Sequence, residues 1–125
     1  MSTSPTELTL NRLRKEGWTA AVVEKWKPCL RKGKLEPYGV RVDLFGLFDV
    51  LAFNDFWIVG IQATSASNHA SRVKKMRANP LLEAWLRNAC RFAEVWTFRQ
   101  KKKGARWIER REDVTASGGG GYDEV

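Results

Sequence analysis

Two apolar runs, parted by Asn54-Asp55, carry the polar residues best placed to do chemistry. The first, Leu47-Phe48-Asp49-Val50-Leu51-Ala52-Phe53, holds an aspartate at its centre. The second, Phe56-Trp57-Ile58-Val59-Gly60-Ile61-Gln62-Ala63-Thr64, ends on a Gln-x-Thr. An unpaired carboxylate buried in such surroundings costs several kcal/mol, so Asp49 needs a partner. A divalent cation is one solution, and backbone amides or an arginine are the others. With a cation, the chemistry in view is metal-assisted hydrolysis, in which the metal activates a water and offsets developing charge.

Spacing extends this reading. Both runs are rich in β-branched and aromatic residues, and Asn54-Asp55 suits a two-residue turn, which predicts a β-hairpin. Pairing Phe53 with Phe56 sets Asp49 opposite Gly60 and Leu47 opposite Gln62. Opposed residues share a face, so Asp49, Gln62 and Thr64 all point the same way. Asp49 and Gln62 then become diagonal neighbours roughly 7–8 Å apart at Cα, within reach of one ion. Gly60 leaves room for that ion. A two- or four-residue turn preserves this parity, whereas a three-residue turn or a bulge breaks it.

Further acidic groups are candidates for the same site. Glu24 shares a strand face with Trp18, Ala20, Val22 and Trp26 and reads either as a third carboxylate or as a lysine's partner. Asp43, in Arg41-Val42-Asp43-Leu44-Phe45-Gly46, reads as a ligand or as the cap of a turn. Glu7 reads as a capping-box residue before it reads as a catalytic one. His69, the single histidine, is expected at the surface, with a phosphate contact as the alternative. For Thr64 an ordinary strand-end polar role is preferred.

The cations form three clusters: Arg31-Lys32-Lys34, Arg72-Lys74-Lys75-Arg77, and Arg99 with Lys101-Lys102-Lys103 and Arg106. Each alone is an ordinary solvated face. Together they belong to a chain with 22 Lys and Arg against 14 Asp and Glu, a net charge of +8 and a pI near 9.9. Such an excess favours a polyanion, nucleic acid first, held through its phosphates and so without regard to sequence. One histidine and two cysteines, Cys29 and Cys90, with no CxxC, argue against a His/Cys zinc site and against a disulfide framework. No run approaches the ~20 apolar residues of a membrane span. Met1-Ser2-Thr3-Ser4-Pro5 lacks the features of a signal peptide. A reduced, cytoplasmic setting without membrane contact is expected.

The elements that must position these residues follow from local signals. Ser4 as N-cap, Pro5 at the first helical position and Glu7 three residues after the cap open a helix that Gly17 stops. Trp18–Lys27 reads as a strand ended by Pro28. Residues 29–40 read as a basic loop. The hairpin of 47–64 follows, central because both of its faces are apolar. Ser65–Asn68 is a turn able to cap a helix over roughly 68–78. Asn79-Pro80 starts another helix with Leu81, Leu82, Trp85 and Ala89 on its buried side. Phe92–Phe98 and Arg106–Glu109 form a second hairpin around the Lys101-Lys102-Lys103-Gly104 tip. The tryptophans fall mostly at core positions, with Trp57 and Trp85 read as packing. At 125 residues the chain makes one domain, taken as 1–115, with a disordered glycine-rich tail over 116–125. The order α-β-β-β-α-α-β-β is that of an α/β protein, a mixed β-sheet flanked by helices.

This order, with Gly17-Trp18 closing the first helix, Phe48-Asp49-Val50 on one strand, Ile61-Gln62-Ala63-Thr64 on the next and Arg106-Trp107-Ile108 in the terminal hairpin, resembles the PD-(D/E)xK nuclease superfamily. Its archaeal-type Holliday junction resolvases are the most similar branch, and the likeness spans about residues 5–110. The resemblance implies a restriction-endonuclease-like fold and metal-dependent endonucleolytic hydrolysis of DNA in recombination or repair, with one or two Mg²⁺ (or Mn²⁺) ions. Asp49 takes the family aspartate's place and Gln62 that of the glutamate, offering a carbonyl oxygen without charge. Thr64 stands where the family has its lysine, which orients the attacking water and offsets phosphate charge. Lys74 or Lys75 on the following helix would supply that ammonium from a new position. Glu7 is the counterpart of the family's first-helix glutamate. Because resolvase-like enzymes cut two strands as homodimers, pairing of two copies is also implied.

Three functions therefore compete. The first is a Mg²⁺-dependent nuclease acting on DNA, branched or single-stranded. The second is a catalytically inactive nucleic-acid-binding module on the same scaffold, consistent with Gln62 and Thr64. The third is an interaction factor whose basic surface meets an acidic protein.

Overall fold

The computed structural model describes residues 3–31 and 33–115. The glycine-rich tail from residue 116 and Lys32 lie outside the described residues. Eleven residues, Pro5–Lys15, form α1, and the capping box is in place: Glu7 N–H donates to Ser4 Oγ at 3.2 Å, and Ser4 N–H donates to the Glu7 carboxylate at 3.2 Å. The chain reverses through Gly17, at φ 94°, into β1, Thr19–Val22. β2 (Lys25–Arg31) and β3 (Lys34–Val42) then pair as a separate two-stranded ribbon. β4 (Val50–Phe53) and β5 (Ile58–Ser65) follow, then a single 3-10 turn, α2 (His69–Ala78), α3 (Leu81–Leu86), β6 (Arg91–Arg99) and β7 (Ile108–Asp113).

The main sheet has the order β1-β4-β5-β6-β7, antiparallel except that β5 and β6 run parallel across the α2–α3 crossover. It is a mixed sheet with helices on both faces, an α/β architecture. Alternation along β5 explains the layering. Val59 and Ile61 join Leu13 of α1, Ala20, Val50, Ala52, Trp96 and Phe98 in one core. The opposite face packs Phe48, Ala93 and Val95 against Val73 and Met76 of α2 and Leu82 of α3. β5 is buried on both faces over six consecutive residues, as expected of a central strand. Ion pairs clip α1 to β7: Arg12 meets Glu109, and Arg111 reaches Glu16 at 3.0 Å while stacking 3.7 Å from the Trp96 ring centroid.

Several sequence expectations need correction. The strand expected over 18–27 is split, because Val23 N–H donates to Asp49 C=O at 2.9 Å and the chain then leaves the sheet. Glu24 lies in that break rather than on a continuous strand face. Pro28 does not end the strand. It sits in the ribbon opposite Gly39, beside a register shift before Leu30, where a missing N–H is tolerated. The expected basic loop over 29–40 is thus the body of a hairpin.

The β4–β5 turn is also longer than expected. Asn54 Oδ1 accepts from the Phe56 and Trp57 amides at 2.9 and 2.8 Å, and Asn54 N–H donates to Trp57 C=O at 3.0 Å. This makes a four-residue turn that pairs Phe53 with Ile58 and Leu51, not Asp49, with Gly60. In the α3 region, Leu81 and Ala89 are exposed and only Leu82 is fully buried, because the helix stops at Leu86. Trp26 and Trp57 are exposed rather than core, although Trp57 still packs edge-on against Phe92 at 5.4 Å.

Candidate metal centre and nucleic-acid interface

The four-residue turn keeps the expected parity as far as the ladder runs, to the Val50–Ile61 pair. Gln62 and Thr64 alternate onto one face of β5. Asp49, however, lies in a bend before β4, and Phe48 packs in the same core as Leu51, so alternation breaks at Asp49 and the face expected for it does not follow from register. Asp49 N–H donates to Ile61 C=O at 3.0 Å, and its own carboxylate accepts from Ala63 N–H at 3.1 Å. A side-chain oxygen thus occupies the place of a ladder carbonyl. No guanidinium meets Asp49 among the described residues, and the residue is only 5% exposed. Burial pushes its carboxyl up to about 7 from an ordinary 3.8; the Ala63 amide works against the rise, and the charges of Asp43 and Glu24 add to it.

The ribbon supplies those two neighbours. Its last pair is Lys25–Val42, and one step beyond lie Glu24 and Asp43. Glu24, Asp43 and Asp49 each place a carboxylate oxygen so that all three atoms lie within 4.8 Å of one another. Three backbone bonds fix the segments that carry them: Val23 to Asp49, Gly46 to Asp43 at 3.1 Å, and Leu44 to Phe48 at 2.8 Å. The tight link between Asp43 and Asp49 passes through Phe45 and Gly46, both at positive φ (59° and 72°). For a phenylalanine that conformation costs on the order of 1–3 kcal/mol, and Asn79 Nδ2 braces it by donating to Phe45 C=O at 3.1 Å.

Three converging oxygens, one of them almost wholly buried, form a hard, anionic donor set suited to Mg²⁺ or Mn²⁺. Among the described residues, Glu24 has one cation close by, Arg41 at 3.2 Å, whose side chain is otherwise largely exposed. Gln62 is held differently from expectation. Its Nε2 donates to Asp43 at 3.0 Å and to Leu47 C=O at 3.1 Å, while its Oε1 accepts from Arg72 at 3.3 Å. It therefore couples a carboxylate to a guanidinium; ligation through Oε1 requires the amide to turn over and release Arg72. The room that Gly60 was expected to leave for an ion is filled by the Phe48 ring: a Cβ on Gly60 would lie 2.5 Å from it. Thr64 is buried, with its Oγ1 accepting from Asn68 Nδ2 at 3.3 Å, so Asn68 uses its side chain there instead of capping α2.

The basic residues divide by location. Arg72 and Lys75, on one side of α2, line a cavity of about 10 Å³ together with Asp43, Gly46, Leu47, Gln62 and Met76, enough for about one water. Lys74 faces a different recess, with His69, Val73, Arg77, Arg110 and Glu112. Arg77 lies 3.8 Å from Glu112. Arg99 and Lys101–Lys103 are exposed where β6 runs out. Because β5 and β6 are parallel, they emerge at the sheet end where Thr64 and α2 begin. Arg106 borders a recess with Arg12, Lys15, Glu16 and Glu109. Lys34 is exposed near the ribbon tip, and Arg31 lies on β2. Glu7 is engaged in the capping box.

His69 departs most from expectation. It is buried, 3% exposed, with Nδ1 2.6 Å from Thr97 Oγ1 and Nε2 2.9 Å from Glu112 Oε1. Its partners come from β6 and β7, and nothing in the local sequence Ser67-Asn68-His69-Ala70 signals them. Two features of the site were not singled out from sequence: the Arg72 contact to Gln62 and the ribbon that brings Glu24 to Asp43. The alternation Lys25-Trp26-Lys27 against Val40-Arg41-Val42 is the signal that could have found the ribbon.

Among the described residues, no helix is long and apolar enough to cross a membrane. Compared with protein-family models, with curated proteins and with solved structures, the chain matches none.

Proposed function

We propose that the protein is a divalent-metal-dependent endonuclease acting on DNA, a divergent member of the PD-(D/E)xK group with a restriction-endonuclease-like fold. The observation that carries this reading is the meeting of Glu24, Asp43 and Asp49 beside two cationic side chains of α2. Asp49, Asp43 and Glu24 would hold Mg²⁺ or Mn²⁺, which when bound supplies Lewis-acid stabilisation and an activated water. Arg72 and Lys75 are placed to take the charge of a phosphodiester, and Lys75 is the better candidate for the ammonium missing at Thr64. Gln62 orients Asp43 and Arg72 relative to each other. The basic β6–β7 tip and the ribbon extend a positive surface from the same end of the sheet, suited to a polyanion held by its phosphates. A cytoplasmic setting and action by two copies on branched DNA belong to this reading.

The test is nicking of plasmid and branched DNA by purified protein with Mg²⁺ or Mn²⁺. Cleavage that disappears in Asp49→Ala, with the circular dichroism spectrum unchanged, is the expected result. A second reading, a nucleic-acid-binding module without catalysis, is favoured by Gln62 turning its amide nitrogen toward Asp43 and by the hydrogen-bonded Thr64. It takes over where wild type binds DNA with strong salt dependence and cuts no substrate with any metal.

A further inference from the structure

Trp26 is 64% exposed, an unusual position for the largest apolar side chain. Its indole is not loose. A Cβ on Gly39 would lie 2.3 Å from Trp26 Cε2 and 2.4 Å from Cζ2, so the ring rests across a residue of the opposing strand that has no side chain to obstruct it. One side of the indole is thus supported by backbone while the remainder is open. The pairs Trp26–Arg41 and Pro28–Gly39 put these four residues on one face of the ribbon, and Lys25–Val42 and Lys27–Val40 on the other. Residues 25–42 carry six Lys and Arg against one acid. The face that bears the indole also leads into the carboxylate cluster, since Arg41, paired with Trp26, donates to Glu24 at 3.2 Å.

A rigid, half-supported aromatic plane amid cations is the arrangement with which proteins hold unpaired bases. Every base has a π-face, and the flanking charges neutralise phosphates whatever the sequence. A purely apolar partner would leave the ribbon's excess of Lys and Arg without a complement. We infer that Trp26, backed by Gly39, is a stacking platform for an unpaired base of single-stranded nucleic acid, with Arg41 beside it on the same face for an adjacent phosphate and Lys25 and Lys27 on the reverse face adding to the attraction of the polyanion. The strand would then run along the ribbon toward its base. Only that last step rests on the nuclease reading; the binding itself does not need it.

The experiment is fluorescence anisotropy with a labelled oligo-dT strand, in chelator so that no cleavage interferes, using the full chain. Trp26→Ala should weaken binding about 5- to 150-fold, and Trp26→Phe should keep most of it. An abasic strand of equal length should bind wild type weakly and be indifferent to Trp26→Ala. Equal binding of oligo-dT by wild type and Trp26→Ala overturns the proposal, as does an equal loss on both strands, or no binding by wild type at low salt. Self-association that disappears in Trp26→Ala while oligo-dT affinity is unchanged also overturns it, placing the indole in a contact between copies. Trp26-dependent binding without metal-dependent cleavage leaves the platform and removes the hydrolase. Cleavage with unchanged binding in Trp26→Ala does the reverse.

Discussion

Glu24 and Asp43 face each other one step below the Lys25–Val42 pair that closes the base of the ribbon. Two like charges set across an antiparallel pair repel unless a cation lies between or beside them. Among the described residues, Arg41 pairs with Glu24, and the Asp43 carboxylate receives the neutral amide of Gln62. Adding Asp49, pinned to the Ala63 amide, completes a concentration of negative charge that a divalent ion would relieve.

The pH dependence of stability follows from Asp49. Its carboxyl, raised to about 7 by burial, keeps a proton in the folded protein that the unfolded chain loses near 3.8. Between those values the folded state binds more protons, so stability falls as pH rises through the window. Asp49→Asn removes this penalty while still offering an oxygen to Ala63 N–H. The variant is expected to be more stable than metal-free wild type at about pH 8, by up to roughly 4 kcal/mol, and no more stable at about pH 4. Thermal melts in chelator at the two pH values measure it; equal differences at both would refute the assignment.

Metal binding should be linked to the same proton. Calorimetry with Mn²⁺ at about pH 6, in two buffers of different ionisation heat, should register release of about one proton per ion bound. At about pH 8 the release should vanish and the affinity rise. Asp49→Ala should give no binding heat at either pH.

Lys74 and Lys75 are neighbours in sequence yet face different recesses. Lys75→Ala is expected to lower the DNA cleavage rate about 100-fold, the order of one lost charge-stabilising group. Lys74→Ala should leave the rate within about twofold, since a solvated charge of this kind is worth little. Single-turnover rates on a nicked-circle assay separate the two, and equal losses would mean that both act only through general charge.

Gly60 tests the packing beneath the site. A Cβ there would meet the Phe48 ring at 2.5 Å, and Phe48 is fully buried and packed against Trp85, with ring centroids 4.9 Å apart and planes tilted by 56°. Gly60→Ala should cost about 1–3 kcal/mol, the usual effect of overpacking. Urea midpoints measure it, and an unchanged midpoint would show that the ring can move aside.

What could be read in the chain before folding depended on how local the signal was. Ser4, Pro5 and Glu7 lie within one turn, and the capping box they spell is the one found. Along β5 the shared face of Gln62 and Thr64 was legible from alternation, whereas Asp49 falls in a bend beyond the end of the ladder. The register itself was not legible, since it hinges on the Asn54 side chain accepting two amides and extending the turn. Pro28 read as a stop because proline breaks interior strands, but a two-stranded ribbon has no interior strand. His69 was misplaced because Thr97 and Glu112, which make its burial tolerable, lie far along the chain. Glu24 and Asp43 were candidates from the sequence, but how they meet was not legible, since they come together through a ribbon whose pairing no single segment announces.

The two outer strands of the main sheet carry a consequence for assembly. β1 is only four residues long, and β7 runs Glu109-Arg110-Arg111-Glu112-Asp113, charged at every position after Ile108. A brief strand on one margin and a densely charged one on the other both discourage a foreign backbone from docking by hydrogen bonding. Growth of the sheet from molecule to molecule is thereby opposed at either side, which guards a tryptophan-rich chain against fibrous aggregation. Any association of two copies is therefore disfavoured through the margins of the main sheet.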